Sequence, residues 1–255
     1  MSILKLIIKK AAPLPRPENM DIVLFVGPHP DDIEIGAGAT AAKLASMGKK
    51  VCFLVCTDGR YGDANTDARG DELAALREQE SIKAAKLLGV SDVRFLRFPD
   101  GGYYSEDELK AQIAAVVSEV KPDMLFCPDP DVISECHPDH LNVGRVCKTI
   151  AFCAPFENIM GKMGLDAVDL KGIAFFMTAK ANTYVGTKGF FATQLKSIFD
   201  CHVSQFPEGC RDASAMILYL ILRAYVFGLK HLSGTAEGFR VLGQAHMHCL
   251  PEAGE

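Results

Sequence analysis

The sequence lacks the features that mark fibrous, disulfide-stapled or nucleic-acid-binding chains. It has no internal repeat and no low-complexity segment, and its nine cysteines include no CxxC pair. An odd number of cysteines, most of them on apolar stretches, argues against a disulfide framework and for a reducing compartment, which we expect to be the cytoplasm. No basic run is present and the net charge is −5, so we expect no nucleic-acid partner.

Long uncharged apolar runs are also scarce. The apolar part of Met1–Lys10 is too short for a signal peptide, and no small-residue cleavage site follows it. Ala213–Leu232 is the most apolar stretch, but Arg223 interrupts it, whereas a spanning helix needs about 20 largely uncharged residues. We predict a buried or subunit-interface helix there and no membrane span, a span being the less favoured alternative.

The pattern that is present alternates between strands and helices. The 255 residues suffice for one large domain, 1–255, with an extended N-terminal arm at 1–19. The alternation predicts right-handed βαβ units in a Rossmann-like, three-layer α/β/α fold with a mostly parallel sheet, strand order near 3-2-1-4-5. Beyond about Thr187 the pattern is mostly helical. The predicted strands are Asp21–Gly27, Lys50–Cys56, Val93–Phe98, Asp123–Cys127 and Ile173–Thr178, and the predicted helices are Ile35–Met47, Glu72–Leu88, Glu106–Val120 and His137–Phe152.

Two short segments, Pro28–Asp32 and His137–His140, hold three of the seven histidines and three aspartates. They follow the first and fourth predicted strands. These two strands are neighbours in the predicted order, and their helices leave on opposite faces of the sheet. Open α/β sheets bind ligands at such a switch point, at the carboxyl ends of the strands. We therefore expect the two segments to meet in one crevice.

The residue types of these segments point to a metal. A catalytic zinc usually takes three protein ligands and keeps one position open. His29 and Asp32 are three apart on a turn, and His137 and His140 are three apart on a helix, so each pair can face one point. We assign His29, Asp32 and His140 as ligands of Zn²⁺, although the same donors suit other divalent ions.

The remaining polar residues of the two segments suit proton transfer. Asp31 neighbours a ligand and is predicted to act as a general base on water activated by the metal. His137 is predicted to protonate the leaving amine or to stabilise an oxyanion, and Asp139 to orient an imidazole. The alternative is structural, because a single His-Pro-Asp turn commonly caps a helix. Two such motifs at one switch point make that alternative less favoured.

At these residues the chain resembles the LmbE-like/PIG-L family of zinc-dependent N-acetylglucosamine deacetylases. The signature of that family is an HPDD motif at a strand end and a later HPDH motif. Asp131 stands where a bulky aromatic residue is expected in the diacetylchitobiose deacetylase branch, to which the likeness is closest. Further likeness lies in Thr57–Gly59, Asp71–Ala75, Leu76–Glu80, Ala84–Val90, Pro128–Pro130, Ser134–His137, Ser204–Pro207 and Glu237–Arg240.

The resemblance implies hydrolysis of the N-acetyl group of a small acetylated amino sugar, either GlcNAc or a diacetylchitobiose-like disaccharide. It also implies a homo-oligomer, a trimer or a hexamer. By the same likeness Arg77 and Asp58 would contact substrate. His248, near the C-terminus, either approaches a site of a neighbouring subunit or is a solvated histidine of the tail.

Other functions stay open at this point. One alternative is an LmbE-like amidase that acts on another amide or thiol conjugate. Gly36–Ala41 also fits a G-x-G-x-x-A dinucleotide fingerprint, with Asp58 about 20 residues on, which would suit an NAD-dependent oxidoreductase. In a true fingerprint the glycines follow the strand directly, whereas here His-Pro-Asp-Asp intervenes. We therefore expect Gly36 and Gly38 to allow close packing of a helix on the sheet. A non-catalytic sugar- or metal-binding module is the third alternative.

Overall fold

A computed structural model describes residues 8, 10–62, 66–207 and 209–248. Within these ranges one seven-stranded sheet has the order β3-β2-β1-β4-β5-β7-β6, which confirms the predicted α/β fold and order 3-2-1-4-5. The strands are β1 Ile22–Gly27, β2 Lys50–Thr57, β3 Asp92–Phe98, β4 Met124–Pro128, β5 Gly172–Phe176, β6 Thr183–Gly186 and β7 Ala236–Gly243. The helices are α1 Asp32–Ser46, α2 Asp71–Leu87, α3 Glu106–Val120, α4 Pro138–Cys153, α5 Glu157–Met160, α6 Phe191–Phe199 and α7 Arg211–His231.

The two faces of the sheet carry separate hydrophobic clusters, because successive side chains of a strand point to opposite faces. Leu24 and Val26 of β1 pack with helices α3 and α4 on one face. Val23 and Phe25 pack with α1 and α2 on the other face. Helices α1 and α4, which follow the neighbouring strands β1 and β4, therefore leave on opposite sides, as the predicted switch point requires.

The last two strands are not predicted by the sequence pattern. Strand β7 runs antiparallel to both β5 and β6 and is buried along all of its length. It contains the buried charged residues Glu237 and Arg240, which interrupt the apolar run that would identify a central strand. Residues from other elements pair with these two charges in the folded chain. The strand therefore depends on tertiary contacts that the local sequence does not reveal. The predicted helical C-terminal part is otherwise present as α6 and α7.

Helix α7 buries only one of its faces. Ala213, Leu220 and Ala224 are buried, whereas Leu222 and Leu229 are exposed. Among the described residues Ala213–His231 is the one helix that is long and apolar enough to cross a membrane. Only 22% of its apolar stretch is buried inside the protein. Length and composition alone are weak evidence for a span. One face of the helix is buried in this chain, and coverage of its outer face by another subunit stays a prediction.

Glycines of the suspected fingerprint serve helix packing. A Cβ atom at Gly36 would overlap the ring of Phe176 in β5, and one at Gly38 would stand 3.1 Å from Cγ of Gln194 in α6. Both glycines lie inside α1 rather than in a loop between strand and helix. The close-packing interpretation of Gly36 and Gly38 is therefore the one that the structure supports.

Candidate metal centre

The two histidine-containing segments meet at the carboxyl edge of the sheet. The ring centroid of His29 lies 4.6 Å from that of His137 and 5.3 Å from that of His140. His29 follows β1, and the other two histidines lie at the start of α4, which follows the loop after β4. Because β1 and β4 are hydrogen-bonded neighbours, residues more than 100 positions apart come into contact, as the strand order predicts.

Three side chains of this crevice converge on one point. Oδ2 of Asp32 lies 3.0 Å from Nδ1 of His29 and 3.3 Å from Nε2 of His140. The donor atoms of these residues all lie within 4.8 Å of one another. Two imidazole nitrogens and one carboxylate are a donor set that zinc and related divalent metals take in catalytic sites. The residues predicted as ligands therefore fit a divalent metal in both chemistry and spacing.

The outer nitrogen of each of these two histidines contacts a second carboxylate. Nε2 of His29 lies 2.9 Å from Oδ2 of Asp139, and Nδ1 of His140 lies 3.1 Å from Oε2 of Glu135. Histidines that bind metals commonly donate their other ring N–H to a carboxylate, which fixes the tautomer and the ring orientation. A helix-capping role would not require this arrangement on both rings.

Asp139 is a rigid acceptor with no exposed surface. It accepts hydrogen bonds from the N–H groups of Gly101 (2.7 Å) and Gly102 (2.8 Å) and from the hydroxyl of Tyr104 (2.8 Å). Burial alone would raise the pKa of Asp139, but these donors and His29 lower it to about 2. Asp139 is therefore anionic at neutral pH, which suits the orienting role predicted for it.

Negative charge dominates the crevice. Burial lowers the pKa of His29, yet Asp139 and Asp32 outweigh it and raise that pKa to about 10. The pKa of His140 is raised to about 9 in the same way, mainly by Asp32. A pocket that holds protons this tightly has excess negative potential, which a divalent cation between the same groups would neutralise.

Asp31 lies directly before helix α1 in a conformation that is rare for a residue other than glycine. Its φ is +111°, in the left-handed region, which costs on the order of 1–3 kcal/mol and is found mostly at functional sites. Burial raises the pKa of its carboxyl to about 6, although the guanidinium of Arg77 opposes this shift. A carboxyl that titrates near neutral pH is suited to accept a proton, as predicted for this residue.

His137 caps helix α4 and keeps one nitrogen free. Its Nδ1 accepts a hydrogen bond from the N–H of Asp139 (3.2 Å), so a neutral ring carries its proton on Nε2. Burial and the charges on His29 and His140 lower the pKa of His137. His29, His137 and Asp139 form a second group with metal-ligand spacing. We favour the first group because Asp139 of the second group already accepts from two backbone N–H groups and from the hydroxyl of Tyr104, and Nδ1 of His137 accepts from the N–H of Asp139.

The predicted substrate contacts Arg77 and Asp58 are buried beside the crevice. Arg77 donates to the carbonyl oxygens of Pro30 (3.0 Å) and Gly59 (3.3 Å), and its Nη2 lies 3.4 Å from Oδ2 of Asp31. Asp58 accepts from the guanidinium of Arg60 at 2.6 Å. Both residues therefore have protein partners that fix the loops around Asp31, and their contact with substrate stays a prediction.

His248 is far from the crevice of its own chain. Its ring lies 5.7 Å from that of Phe152, at the opposite end of α4 from His140. Phe152 lies twelve positions after His140 in this helix, a distance of about 18 Å. A contact between His248 and a site of a neighbouring subunit stays a prediction.

Two contributors to the site are not predicted by the sequence pattern. Glu135 lies two residues before the second motif and matches no ligand spacing. The N–H groups of Gly101 and Gly102 converge on Asp139 because both glycines have positive φ, +81° and +80°. Two adjacent glycines on the loop that follows β3 were the available signal for an anion-binding turn.

Comparison with known proteins places these residues among deacetylases. The profile of the family described as PIG-L: GlcNAc-PI de-N-acetylase matches residues 24–151, half of the chain, including both histidine segments. A diacetylchitobiose deacetylase of Thermococcus kodakarensis is 32% identical over 234 residues, covering 91% of this chain and 86% of that protein.

Two further proteins extend the comparison. A 1D-myo-inositol 2-acetamido-2-deoxy-alpha-D-glucopyranoside deacetylase of Streptomyces scabiei is 36% identical over 154 residues, 51% of this chain and about half (47%) of that protein. The structure of N,N'-diacetylchitobiose deacetylase from Pyrococcus horikoshii, solved with its inhibitor MPG, has 30% sequence identity and a TM-score of 0.87. The structural match covers 98% of this chain and 97% of the Pyrococcus horikoshii chain.

Proposed function

This chain belongs to the PIG-L family, described as GlcNAc-PI de-N-acetylases, and on that premise we propose that it is a metal-dependent hydrolase of N-acetylglucosamine-type sugars. It removes the acetyl group by hydrolysis of the amide C–N bond. The observation that carries the proposal is the arrangement of His29 and His140. One nitrogen of each ring faces Asp32, and the other contacts a separate carboxylate.

The substrate is free GlcNAc or a diacetylchitobiose-like disaccharide. The supporting observation is coverage: the diacetylchitobiose deacetylases match over nearly all of this chain, whereas the inositol-conjugate deacetylase matches over half of it. Asp131 lies on the loop after β4, at the position where we expected an aromatic residue. Its carboxylate contacts the side chains of Arg240 and Lys148. In this proposal the loop after β4 selects substrates by the size of the group that is attached to the acetylated sugar.

Zinc is the metal that we propose for His29, Asp32 and His140, and other divalent ions suit the same donors. A metal bound there supplies Lewis acidity, which polarises the amide carbonyl and activates water at neutral pH. Asp31, with its pKa raised to about 6, takes the proton of the attacking water. Asp139 keeps the ring of His29 fixed during this step.

His137 acts on the other side of the reacting amide. The Nε2–H of its neutral ring is not used by the helix cap and donates to the carbonyl oxygen as negative charge develops there. To give the Nε2 proton to the leaving amine, the ring must also be protonated on Nδ1, which releases the contact with the N–H of Asp139. Arg77 and Asp58 bind sugar hydroxyls at the rim in this proposal, in addition to their contacts within the protein.

We also propose that the protein is a cytoplasmic homo-oligomer, a trimer or a hexamer. The exposed apolar face of helix α7, which includes Leu218, Leu222 and Leu229, is suited to contact another subunit. In such an assembly His248, which lies far from the crevice of its own chain, would reach a neighbouring crevice.

Acetate release tests the function directly. Purified protein should be stripped with a chelator, reloaded with Zn²⁺, and incubated with GlcNAc and with diacetylchitobiose. We expect acetate only from the reloaded sample. Folded, zinc-loaded protein that releases no acetate from either sugar would refute the proposed activity. A ligand that binds the folded state stabilises it and raises the melting temperature. Because we expect no dinucleotide site, an NAD(H) titration should leave the melting temperature unchanged.

A further inference from the structure

Glu135 is a carboxylate beside the candidate metal centre that has no role in the mechanism above. It lies on the loop between β4 and α4, and its side chain is 25% exposed. Its two oxygens have different partners. Oε1 accepts a hydrogen bond from the backbone N–H of His137 at 2.8 Å, and Oε2 lies 3.1 Å from Nδ1 of His140.

The contact with His140 selects one form of the imidazole. A ring that gives the lone pair of Nε2 to a cation keeps one proton, and an acceptor at Nδ1 holds that proton on Nδ1. Nε2 is the nitrogen that lies 3.3 Å from Asp32, on the side of the candidate metal. Without Glu135 the ring could carry its proton on Nε2, where a proton excludes a metal.

The contact with the N–H of His137 fixes the position of the Glu135 carboxylate, which is the acceptor at Nδ1 of His140. His137 is the N-cap residue of α4, so its N–H belongs to the first turn of the helix that carries His140. One planar carboxylate therefore joins the start of the helix to the ring three residues further on. This geometry sets both the position of the Nδ1 acceptor and the rotation of the His140 ring.

We propose that Glu135 is a positioning residue that holds His140 in the tautomer and orientation needed to bind the metal. The inference rests on the metal site of the proposed function and adds a residue to it. A purely helix-capping role would involve Oε1 alone and would change the stability of α4 without changing metal affinity. Oε2 is instead directed to the histidine ring.

Zinc affinity of three variants tests the proposal. Glu135→Ala removes both contacts, and Glu135→Gln keeps an amide oxygen that can accept from Nδ1–H. Glu106→Ala is the matched control, because Glu106 is an acid of α3 that pairs with Arg145 of α4 (3.6 Å) and, within the described part of the chain, contacts no histidine. Affinity is measured by competition with a chromophoric chelator, and folding by thermal unfolding.

We expect Glu135→Ala to bind Zn²⁺ about 10–100-fold more weakly than the wild type, the usual effect of losing a partner of a metal-binding histidine. Glu106→Ala should match the wild type, and Glu135→Gln should recover most of the lost affinity. In ¹H–¹⁵N spectra of the zinc-loaded wild type, the His140 ring proton should be on Nδ1. In Glu135→Ala that signal should weaken through exchange with water.

Three results would overturn the proposal: zinc affinity of Glu135→Ala within twofold of the wild type, an equal loss in Glu106→Ala, or no recovery in Glu135→Gln. The wild-type control separates these failures from failure of the function. A wild type that binds zinc and releases acetate, beside an unaffected Glu135→Ala, refutes only the role of Glu135. A wild type that binds no zinc refutes the metal site itself.

Discussion

Nε2 of His29 lies 2.9 Å from Oδ2 of Asp139, a carboxylate that is completely buried and was placed there by a different βα unit. The contact joins the turn after β1 to the first turn of α4. It leaves Nδ1 of His29 facing Asp32. The position of this ring therefore depends on the anionic state of Asp139 and on the glycine turn that supplies its other donors.

Replacement of Asp139 tests that dependence. Asp139→Asn removes the charge and turns an NH₂ group toward donors that need an acceptor. We expect stability to fall by about 3–5 kcal/mol, as when one partner of a buried charged pair is lost. Zinc affinity should fall about 10–100-fold. Tyr104→Phe, which removes one of the hydrogen bonds to Asp139, is the control and should cost only about 1 kcal/mol in urea unfolding. Equal stability of Asp139→Asn and the wild type would contradict this account.

The general base is tested by Asp31→Asn. Asparagine tolerates the left-handed conformation that this position requires, so the fold should be kept. Without a carboxylate to take the proton of water, kcat should fall about 10²–10⁴-fold. Metal content, measured by elemental analysis, should stay at the wild-type value because Asp31 is outside the ligand set. Full activity in this variant would assign the base to another residue.

The ligand assignment is tested by a pair of neighbouring histidines on one helix. His140→Ala should lose its bound metal on dialysis, because it removes one of three donors. His137→Ala should retain the metal and lose activity, since His137 is placed beside the reacting amide rather than in the ligand set. If both variants retain the metal, His140 is not a ligand; if both lose it, His137 belongs to the set.

Glu237 makes stability depend on pH at a place remote from the crevice. It is buried, and it accepts hydrogen bonds from the N–H groups of Ala39 (3.2 Å) and Thr40 (2.7 Å) and from Nε2 of Gln194 (2.8 Å). Burial raises its pKa from 4.5 to about 7, although these donors oppose the shift. A raised pKa means that the folded state binds the proton more tightly than the unfolded chain. The contribution is therefore fully present below about pH 4.5 and is lost as pH rises through 7.

Comparison with Glu237→Gln isolates this group. The free energy of unfolding of the wild type, minus that of the variant, should fall by on the order of 3 kcal/mol between pH 4 and pH 8, at about 1.4 kcal/mol for each pKa unit. Urea unfolding at both pH values measures the difference. A difference independent of pH would mean that Glu237 titrates alike in the folded and unfolded chains.

Much of the site could be predicted because it combines local motifs with one rule of topology. The strands β1 and β4 are apolar runs with clear ends, and the helix after β1 is an alanine-rich stretch that ends before Gly48. Once these elements are neighbours, the candidate ligands His29 and His140 must approach each other. Strand β7 could not be predicted in this way, since Glu237 and Arg240 break its apolar run and only their buried partners compensate for the charges.

What the amino-acid sequence determined by itself was the order of elements, the sheet edge at which the histidines gather, and the donor types that suit a divalent metal. Only the tertiary structure decided which nitrogen of His29 and of His140 faces Asp32, and that Asp139 and Glu135 hold the opposite nitrogens. It also placed His248 at the far end of α4. The physical reason is that spacing along a chain constrains the face of an element, whereas ring orientation depends on acceptors supplied by other loops after folding.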